Sequence, residues 1–167
     1  MALLDPKFKQ NFWSYIWQCG LATVFMFVIL YFVDIVTYPA FLAVLGSTFF
    51  IMFTLPHSYA SKPRPLIGGY IISTIVGIIF CLISQLPHIQ TDFLTKSFEM
   101  VLCGALAIGF SIFFMVIFDA EHPPAAGLAL ALIINPWDYL TIIFLLCIII
   151  LLAIIKTWLG PVMKDLL

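Results

Sequence analysis

The chain has 167 residues, of which 64% are hydrophobic and 9% are charged, and its mean hydropathy is +1.19. This composition excludes an ordinary soluble domain and predicts an integral membrane protein. The net charge of −1 provides no basic field for nucleic acid, so we expect no nucleic-acid partner. The four cysteines stand singly without metal-ligand or disulfide spacing, and we interpret them as packing residues.

Basic and aromatic residues precede the first apolar run. Lys7 and Lys9, followed by Trp13 and Trp17, predict an interfacial lead-in over residues 1–18. Prolines and polar loops then divide the rest of the chain into apolar segments. The predicted segments are, in chain order, 19–36, 40–55, 66–84, 98–118, 125–134 and 139–158. The fifth would be about 15 Å long as a helix, which is half of a bilayer core.

A polar break separates the fourth segment from the fifth. Residues 118–127 read Phe-Asp-Ala-Glu-His-Pro-Pro-Ala-Ala-Gly, which places ionisable groups where hydrocarbon is expected. Such groups at membrane depth are costly and indicate a functional site. Proline is favoured at the first helical position, so Pro123 and Pro124 predict the start of a new helix. Its free N–H groups and positive dipole end would lie at the break. A proline kink or an interfacial turn is the alternative.

The two breaks that contain proline resemble each other. An offset of 85 residues aligns three pairs: Asp34 with Asp119, Pro39 with Pro124, and Ala40 with Ala125. We therefore predict an internal duplication, with repeat one over about residues 12–84 and repeat two over about residues 97–158. Each half would contain a long span, a proline-started segment and a second long span.

The basic residues favour one topology for these segments. If all six cross and the N-terminus is cytoplasmic, six Lys and Arg residues lie inside and Lys96 lies outside. If both proline-started segments are re-entrant, five Lys and Arg residues lie inside and two lie outside. If only the second is re-entrant, four lie inside and three lie outside. The positive-inside rule thus predicts six crossings with both termini cytoplasmic. The predicted fold class is an all-α integral membrane protein of two inverted three-segment repeats, with short proline-started helices at the repeat interface.

His122 is the leading candidate for a functional side chain. It could bind substrate, carry a proton or only cap the helix that starts at Pro123, and histidine titrates near neutral pH. We predict a proton relay formed by Asp34, Asp119, Glu121 and His122. The sequence Gly46-Ser47-Thr48 is small and weakly polar, which suits close packing or the lining of a path. The predicted substrate-binding residues are Ser47, Thr48, His122, Pro123, Pro124 and Ala125.

The same residues are also candidates for metal binding and catalysis. Asp34, Asp119, Glu121 and His122 could hold a cation, but their spacing matches no recognised ligand motif. We therefore predict no metal and no cofactor. No nucleophile motif lies near His122, so we predict that the protein is not an enzyme.

Three sequence pieces resemble the HPP family of small integral membrane proteins. The strongest is His122-Pro123-Pro124-Ala125; the others are Leu45-Gly46-Ser47-Thr48 and Pro63-Arg64 followed by Gly68-Gly69. The resemblance covers about residues 43–158 and implies a multi-spanning membrane protein, usually described with four spans. It also implies a transport role, since plastid and cyanobacterial members are associated with nitrite transport. Two features depart from the family pattern: Gly127 comes one residue late, and Asp119 and Glu121 add negative charge.

These observations together predict a membrane transporter or channel for a small inorganic anion such as nitrite, with coupling to protons as an additional prediction. The alternatives are a membrane protein that conducts cations or protons or binds metal, and an accessory subunit without transport. The expected partners are a small inorganic ion, the lipid bilayer and further copies of this chain, because six short segments are few for a transport path. The expected location is a bacterial inner membrane.

Overall fold

The computed structural model describes residues 6–32, 39–86 and 93–167, and within these ranges the chain is helical without β-strands. A single turn of 3-10 helix spans Tyr59–Ser61. The α-helices are α1 Pro6–Gln10, α2 Phe12–Phe32, α3 Pro39–Thr54, α4 Pro63–Ser84, α5 Phe93–Ile117, α6 Pro123–Ile134 and α7 Tyr139–Leu159. The prediction of an all-α protein is therefore confirmed for the described ranges.

Four of these helices, α2, α4, α5 and α7, are long and apolar enough to cross a membrane. This finding supports an integral membrane protein and agrees with the four spans that the family resemblance implies. The proline-started helices are shorter, with 16 residues in α3 and 12 in α6. They are about 24 Å and 18 Å long, less than a hydrocarbon core of about 30 Å. Whether they cross the core fully stays a prediction.

Several helices begin earlier than the sequence pattern predicted. The predicted start of the first segment at residue 19 was seven residues late, since α2 begins at Phe12 and no proline interrupts residues 12–32. That residues 1–18 lie at the membrane interface stays a prediction. Helix α4 begins at Pro63 and α5 at Phe93, three and five residues before the predicted segments. Apolarity marks the part of a helix that lies in hydrocarbon, whereas the hydrogen-bonded backbone continues into polar flanks.

Short-range chemistry explains several helix ends. Pro39, Pro63 and Pro123 occupy first helical positions, where the absent N–H has no helical partner to lose. Asp138 caps α7, because its Oδ1 accepts a hydrogen bond from the Thr141 backbone N–H at 2.7 Å.

Asp119 ends α5 in a left-handed conformation, with a φ of 52°. The N–H of Ala120 donates to Met115 O at 2.9 Å, and that of Asp119 donates to Val116 O at 3.3 Å. This is the Schellman pattern, in which a glycine usually occupies the position of Asp119. Aspartate tolerates positive φ better than most residues. The acid predicted to relay protons therefore also has a backbone role.

Side-chain contacts identify which helix ends lie together. The Gln18 amide donates to Phe53 O at 2.6 Å and to Lys164 O at 2.9 Å, which joins the start of α2, the end of α3 and the chain after α7. The Arg64 guanidinium lies 3.5 Å from the Asp119 carboxylate, which places the start of α4 beside the end of α5. The loop 55–62 connects these two groups. Consecutive helices from α2 to α7 therefore run in alternating directions.

The basic residues follow this alternation. The end that holds Gln18 and Arg64, called here the basic end, also holds α1 with its two lysines and Lys62, Lys156 and Lys164. Lys96 belongs to the first turn of α5, at the opposite end. This six-to-one distribution is what six passages between the two ends require. The sequence repeat remains a prediction, and Asp34, in its first break, lies outside the described residues.

Helix α6 is the central element of the bundle, and glycines allow its neighbours to approach. A Cβ added at Gly77 of α4 would lie 2.9 Å from Ala129 Cα, and one at Gly104 of α5 would lie 2.7 Å from Leu130 Cδ1. A Cβ at Gly127 of α6 itself would lie 3.1 Å from a Val44 methyl of α3. Small residues at helix contacts are typical of membrane bundles. The short proline-started helices α3 and α6 thus pack against each other.

Candidate functional site

His122 is fully buried at the start of α6, in the region where α3, α4 and the loop 55–62 meet. Its Nε2 lies 3.0 Å from Thr48 Oγ1 of α3. Its Nδ1 lies 2.7 Å from the carbonyl oxygen of Ala60. The residue occupies the position of an N-cap, but its side chain makes no capping hydrogen bond. The imidazole therefore joins three separate parts of the chain.

Tyr70 extends this polar contact into α4. Its hydroxyl lies 2.7 Å from Thr48 Oγ1, and Tyr70, Thr48 and His122 are all fully buried. The Tyr70 and His122 rings are 5.7 Å apart between centroids. Buried polar groups require partners because desolvation without a hydrogen bond is costly. Thr48, Tyr70 and His122 form one connected network, called here the histidine cluster.

The chemistry of the partners fixes the direction of each hydrogen bond. Ala60 O can only accept, so His122 Nδ1 carries a proton. In neutral histidine Nε2 then accepts from the Thr48 hydroxyl, which itself accepts from the Tyr70 hydroxyl. A protonated His122 would donate from Nε2 to Thr48, whose own proton could turn to Val44 O at 3.2 Å. The cluster can therefore accommodate either protonation state by turning one hydroxyl.

A glycine in α4 makes room for His122. A Cβ added at Gly69 would lie 3.0 Å from His122 Cβ and 3.1 Å from Ala120 O. A Cβ added at Gly68 would likewise lie 2.9 Å from Ala120 Cβ. The pair Gly68-Gly69 thus lets the chain before α6 lie directly on α4.

The first turn of α6 does not present the free N–H groups that the sequence predicted. Pro123 and Pro124 occupy its first two positions and have no N–H to offer. The N–H of Ala125 donates to His122 O at 2.9 Å. The three positions that open α6 therefore present no free backbone donor, and what remains for an anion there is the helix dipole and the His122 side chain.

The loop 55–62 covers the histidine cluster from the basic end. Ala60 supplies the carbonyl that binds His122, and the neighbouring Tyr59 hydroxyl donates to Asp119 O at 2.8 Å. The Arg64 guanidinium donates to Phe118 O at 3.2 Å and pairs with the exposed Asp119 carboxylate. These bonds fix the loop to the end of α5.

The predicted relay residues occupy different environments. Asp119 has a side chain that is 60% exposed and paired with Arg64, whereas His122 is fully buried. Glu121 is partly buried, and its Oε2 is shielded without a hydrogen-bond partner. Asp34 lies outside the described residues. Within the described ranges no three His, Cys, Asp or Glu side chains are placed to hold a metal ion.

The predicted substrate-binding residues also separate into two groups. Thr48, His122 and Ala125 are buried together near the start of α6. Pro123 is exposed, Pro124 is partly buried, and Ser47 faces outward with its hydroxyl bonded back to Val44 O at 2.8 Å. The structure thus brings Thr48 and His122, which are 74 positions apart, into direct contact.

Sequence reasoning missed Tyr70 and Ala60. Tyr70 lies one residue after Gly68-Gly69, so a polar aromatic beside two small residues in an apolar run was an available signal. Ala60 acts through its carbonyl oxygen, and a backbone group has no signature in the sequence.

A cleft of about 330 Å³ lies at the opposite end, between α2, α3 and α7. Leu45 of α3 forms part of its wall, three residues before Thr48. Asp138 and Thr141 supply polar atoms to its rim and are bonded to each other at 2.6 Å. This cleft approaches the histidine cluster along α3 from the side that the loop 55–62 does not cover.

Comparisons with known proteins give a match at the level of a family. Neither the curated proteins nor the solved structures give a match to the chain. The family model described as HPP, transmembrane region, matches residues 7–164. That range includes the His122-Pro123-Pro124 break, the histidine cluster and all four long apolar helices. The chain therefore belongs to the HPP family of transmembrane proteins.

Proposed function

We propose that this protein transports a small inorganic anion, with nitrite as the first substrate to test, and that His122 controls its passage. The observation that carries the proposal is the histidine cluster, in which three polar side chains from α3, α4 and the start of α6 are joined without any exposure. Polar groups buried in membrane proteins often mark solute and proton pathways. A pair of short, proline-started helices such as α3 and α6 also indicates the position of the binding site in many secondary transporters.

The anion would bind the protonated form of His122. In that form Nε2–H is a charged donor, and the Thr48 and Tyr70 hydroxyls can add neutral donors. The positive end of the α6 dipole contributes in the same sense. Entry of a proton and an anion together would leave the net charge of the site unchanged. We therefore propose proton-coupled uptake.

Glu121 opposes an anion at this site. Its shielded Oε2 has no hydrogen-bond partner, so no bonded cation neutralises the carboxylate through that oxygen. Nitrite binding is therefore expected to strengthen as the pH falls from about 8 to about 5, a range that brackets ordinary histidine titration. Glu121→Gln should tighten binding. A cation site predicts the reverse for both changes, and isothermal titration in detergent would distinguish them.

The second candidate function is that of an accessory membrane subunit without transport. The observation in its favour is that both ring nitrogens of His122 already have partners. A histidine with both ring nitrogens hydrogen-bonded can have a purely structural role, which here would be to join α3, α6 and the loop 55–62.

Uptake by purified protein in liposomes separates the two functions. His122→Ala is expected to abolish nitrite uptake driven by a pH gradient, because His122 is the member of the cluster whose side chain can gain a positive charge by binding a proton. Asp119→Asn is the matched control: it keeps a residue that tolerates positive φ and removes only the exposed charge. We expect that control to retain most uptake.

The same uptake assay can contradict the proposal. Wild-type liposomes that take up neither nitrite nor another small ion above empty liposomes would reject transport and favour the accessory role. Loss of uptake in Asp119→Asn equal to that in His122→Ala would instead restore a relay through both residues. Thermal unfolding of each variant in detergent would show that the variants remain folded.

We further propose that the protein works as a homo-oligomer in a bacterial inner membrane, that it is not an enzyme and that it needs no cofactor. The proposed orientation places the basic end in the cytoplasm, as the positive-inside rule favours. The six-to-one distribution of Lys and Arg between the two ends supports it.

A further inference from the structure

Two serines in the middle of the bundle have hydroxyl groups without partners. Ser73 of α4 and Ser111 of α5 are both fully buried, and neither Oγ has a hydrogen-bond partner. Other helical hydroxyls in this protein bond back to their own helix: Thr74 to Tyr70 O, Ser84 to Cys81 O and Thr157 to Ala153 O, at 2.7–2.8 Å. Ser73 and Ser111 therefore differ from the usual state of a hydroxyl in a membrane helix.

Ser73 faces α6, in the layer just beyond the histidine cluster. It lies midway between Gly69, which contacts His122, and Gly77, which contacts Ala129. Residues spaced by four share one face of a helix, so the three lie in a row along α6. Ser73 is ten residues into α4, or about 15 Å, which is half the thickness of a hydrocarbon core.

Ser111 lies in the same layer. Val76 of α4, Ala107 of α5 and Ala129 of α6 belong to one buried cluster. Ser73 comes three residues before Val76, and Ser111 comes four residues after Ala107. Because α4 and α5 are antiparallel, both steps lead about one turn from that cluster toward the basic end. Both serines also lie on buried stripes, since Ala107 and Met115 flank Ser111 at a spacing of four and are buried.

Packing alone does not account for these hydroxyls. Other fully buried positions on α5 and α6 carry alanine, which has the same Cβ: Ala107, Ala125 and Ala129. An alanine at either serine would keep the helix contacts and remove an unpaired buried oxygen. Such an oxygen destabilises a folded protein, and membrane hydrocarbon offers no water to bond it.

We propose that Ser73 and Ser111 form a second polar station for the transported solute, at the middle of the membrane and one helical turn beyond His122. The station rests on the proposed transport function. Two hydroxyl donors and no charge suit a small anion of the nitrite type, which accepts hydrogen bonds from both. The apolar cluster that contains Val76, Ala107 and Ala129 lies about one helical turn further from the basic end.

The test compares Ser73→Ala, Ser111→Ala and the double variant with the wild-type full chain. Nitrite uptake is measured in liposomes, and the thermal shift that nitrite produces is measured in detergent. Each alanine should lower uptake by about tenfold, the effect of one lost hydrogen bond to an ion, and the double variant should show a smaller thermal shift than the wild type, because the site at His122 remains. In the absence of nitrite, the variants should unfold at the same or a higher temperature.

The matched control is Thr74→Val, which removes the neighbouring, back-bonded hydroxyl of α4. It should retain wild-type uptake and lose some thermal stability, the opposite of both serine variants. Uptake that persists in the folded double variant would overturn the station and leave the transporter intact. A nitrite thermal shift that needs both serines, without uptake by the wild type, would keep the station and reject transport. Wild-type protein with neither signal would reject both.

Discussion

Gly77→Val is expected to separate α4 from α6 and to cause a large loss of thermal stability in detergent. A Cβ at this position would lie 2.9 Å from the Ala129 Cα and 2.8 Å from the Leu132 Cδ1. The leucine methyl could turn away, but the Ala129 Cα belongs to the backbone, so the helices themselves must move. Overpacking of this kind typically costs about 1–3 kcal/mol, and valine adds two further methyl groups to the clash.

Gly109→Ala is the matched control for this experiment. Gly109 is an exposed helical glycine of α5, and an added Cβ meets nothing within 4 Å. Alanine should therefore raise the free energy of unfolding by about 0.5–1 kcal/mol through helix propensity alone. An unfolding temperature for Gly77→Val equal to that of the wild type would show that α4 and α6 do not pack as described.

The central position of α6 explains why the break before it can be functional. Helix α6 contacts α3, α4 and α5, each through a glycine on one of the partners, so its position is defined on three sides. His122 immediately precedes it and contacts α3 and the loop 55–62. A change of hydrogen bonding at His122 thus acts on the helix that lies between the others.

The order of apolar segments and breaks could be predicted from the sequence, because hydropathy and proline are local properties. The predicted segment 40–55 corresponds to α3 at Pro39–Thr54, and 139–158 corresponds to α7 at Tyr139–Leu159. Helix starts were less predictable, as for α2. Its residues Phe12 to Gln18 are too polar and aromatic for an apolar segment, yet they contain nothing that breaks a helix.

Part of the candidate site could also be predicted. Thr48 and His122 were both named from short sequence motifs, but their hydrogen bond depends on the antiparallel packing of α3 and α6, which no local pattern specifies. The prediction of free N–H groups at α6 failed for a local reason. A helix that starts with proline has the usual dipole, but Pro123 and Pro124 carry no N–H. The next N–H, that of Ala125, bonds to His122 O.

The unpaired serines were missed for a different reason. A serine in an apolar run usually returns its hydroxyl to its own helix, so Ser73 and Ser84 have the same appearance in the sequence. The two differ only in the folded protein, where the Ser84 hydroxyl is paired and the Ser73 hydroxyl is not.

Gln18→Leu is expected to loosen the C-terminal segment at Lys164 and to lower stability. The fully buried Gln18 amide donates to Phe53 O and Lys164 O, and its oxygen accepts from the Lys164 N–H at 3.0 Å. Leucine would fill the space but leave three backbone groups unpaired. Each buried group left without a partner costs about 1–3 kcal/mol, which water reaching the basic end would reduce.

Gln85→Leu is the matched control, since Gln85 is exposed at the end of α4 and its side-chain amide donates to the Cys81 sulfur at 3.3 Å. The same substitution there should change the unfolding temperature little.

A double-mutant cycle tests whether Gln18 acts through the C-terminal segment. That segment is held independently by Leu166, whose N–H donates to Thr54 O at 2.8 Å, and by Asp165, which accepts from the His57 N–H at 3.0 Å. Removal of residues 161–167 should therefore destabilise the protein by itself. If Gln18 serves mainly to bind this segment, Gln18→Leu should cost much less in the shortened chain than in the full one. Equal costs in both backgrounds would instead assign the effect to the bond between Gln18 and Phe53 O, which caps the end of α3.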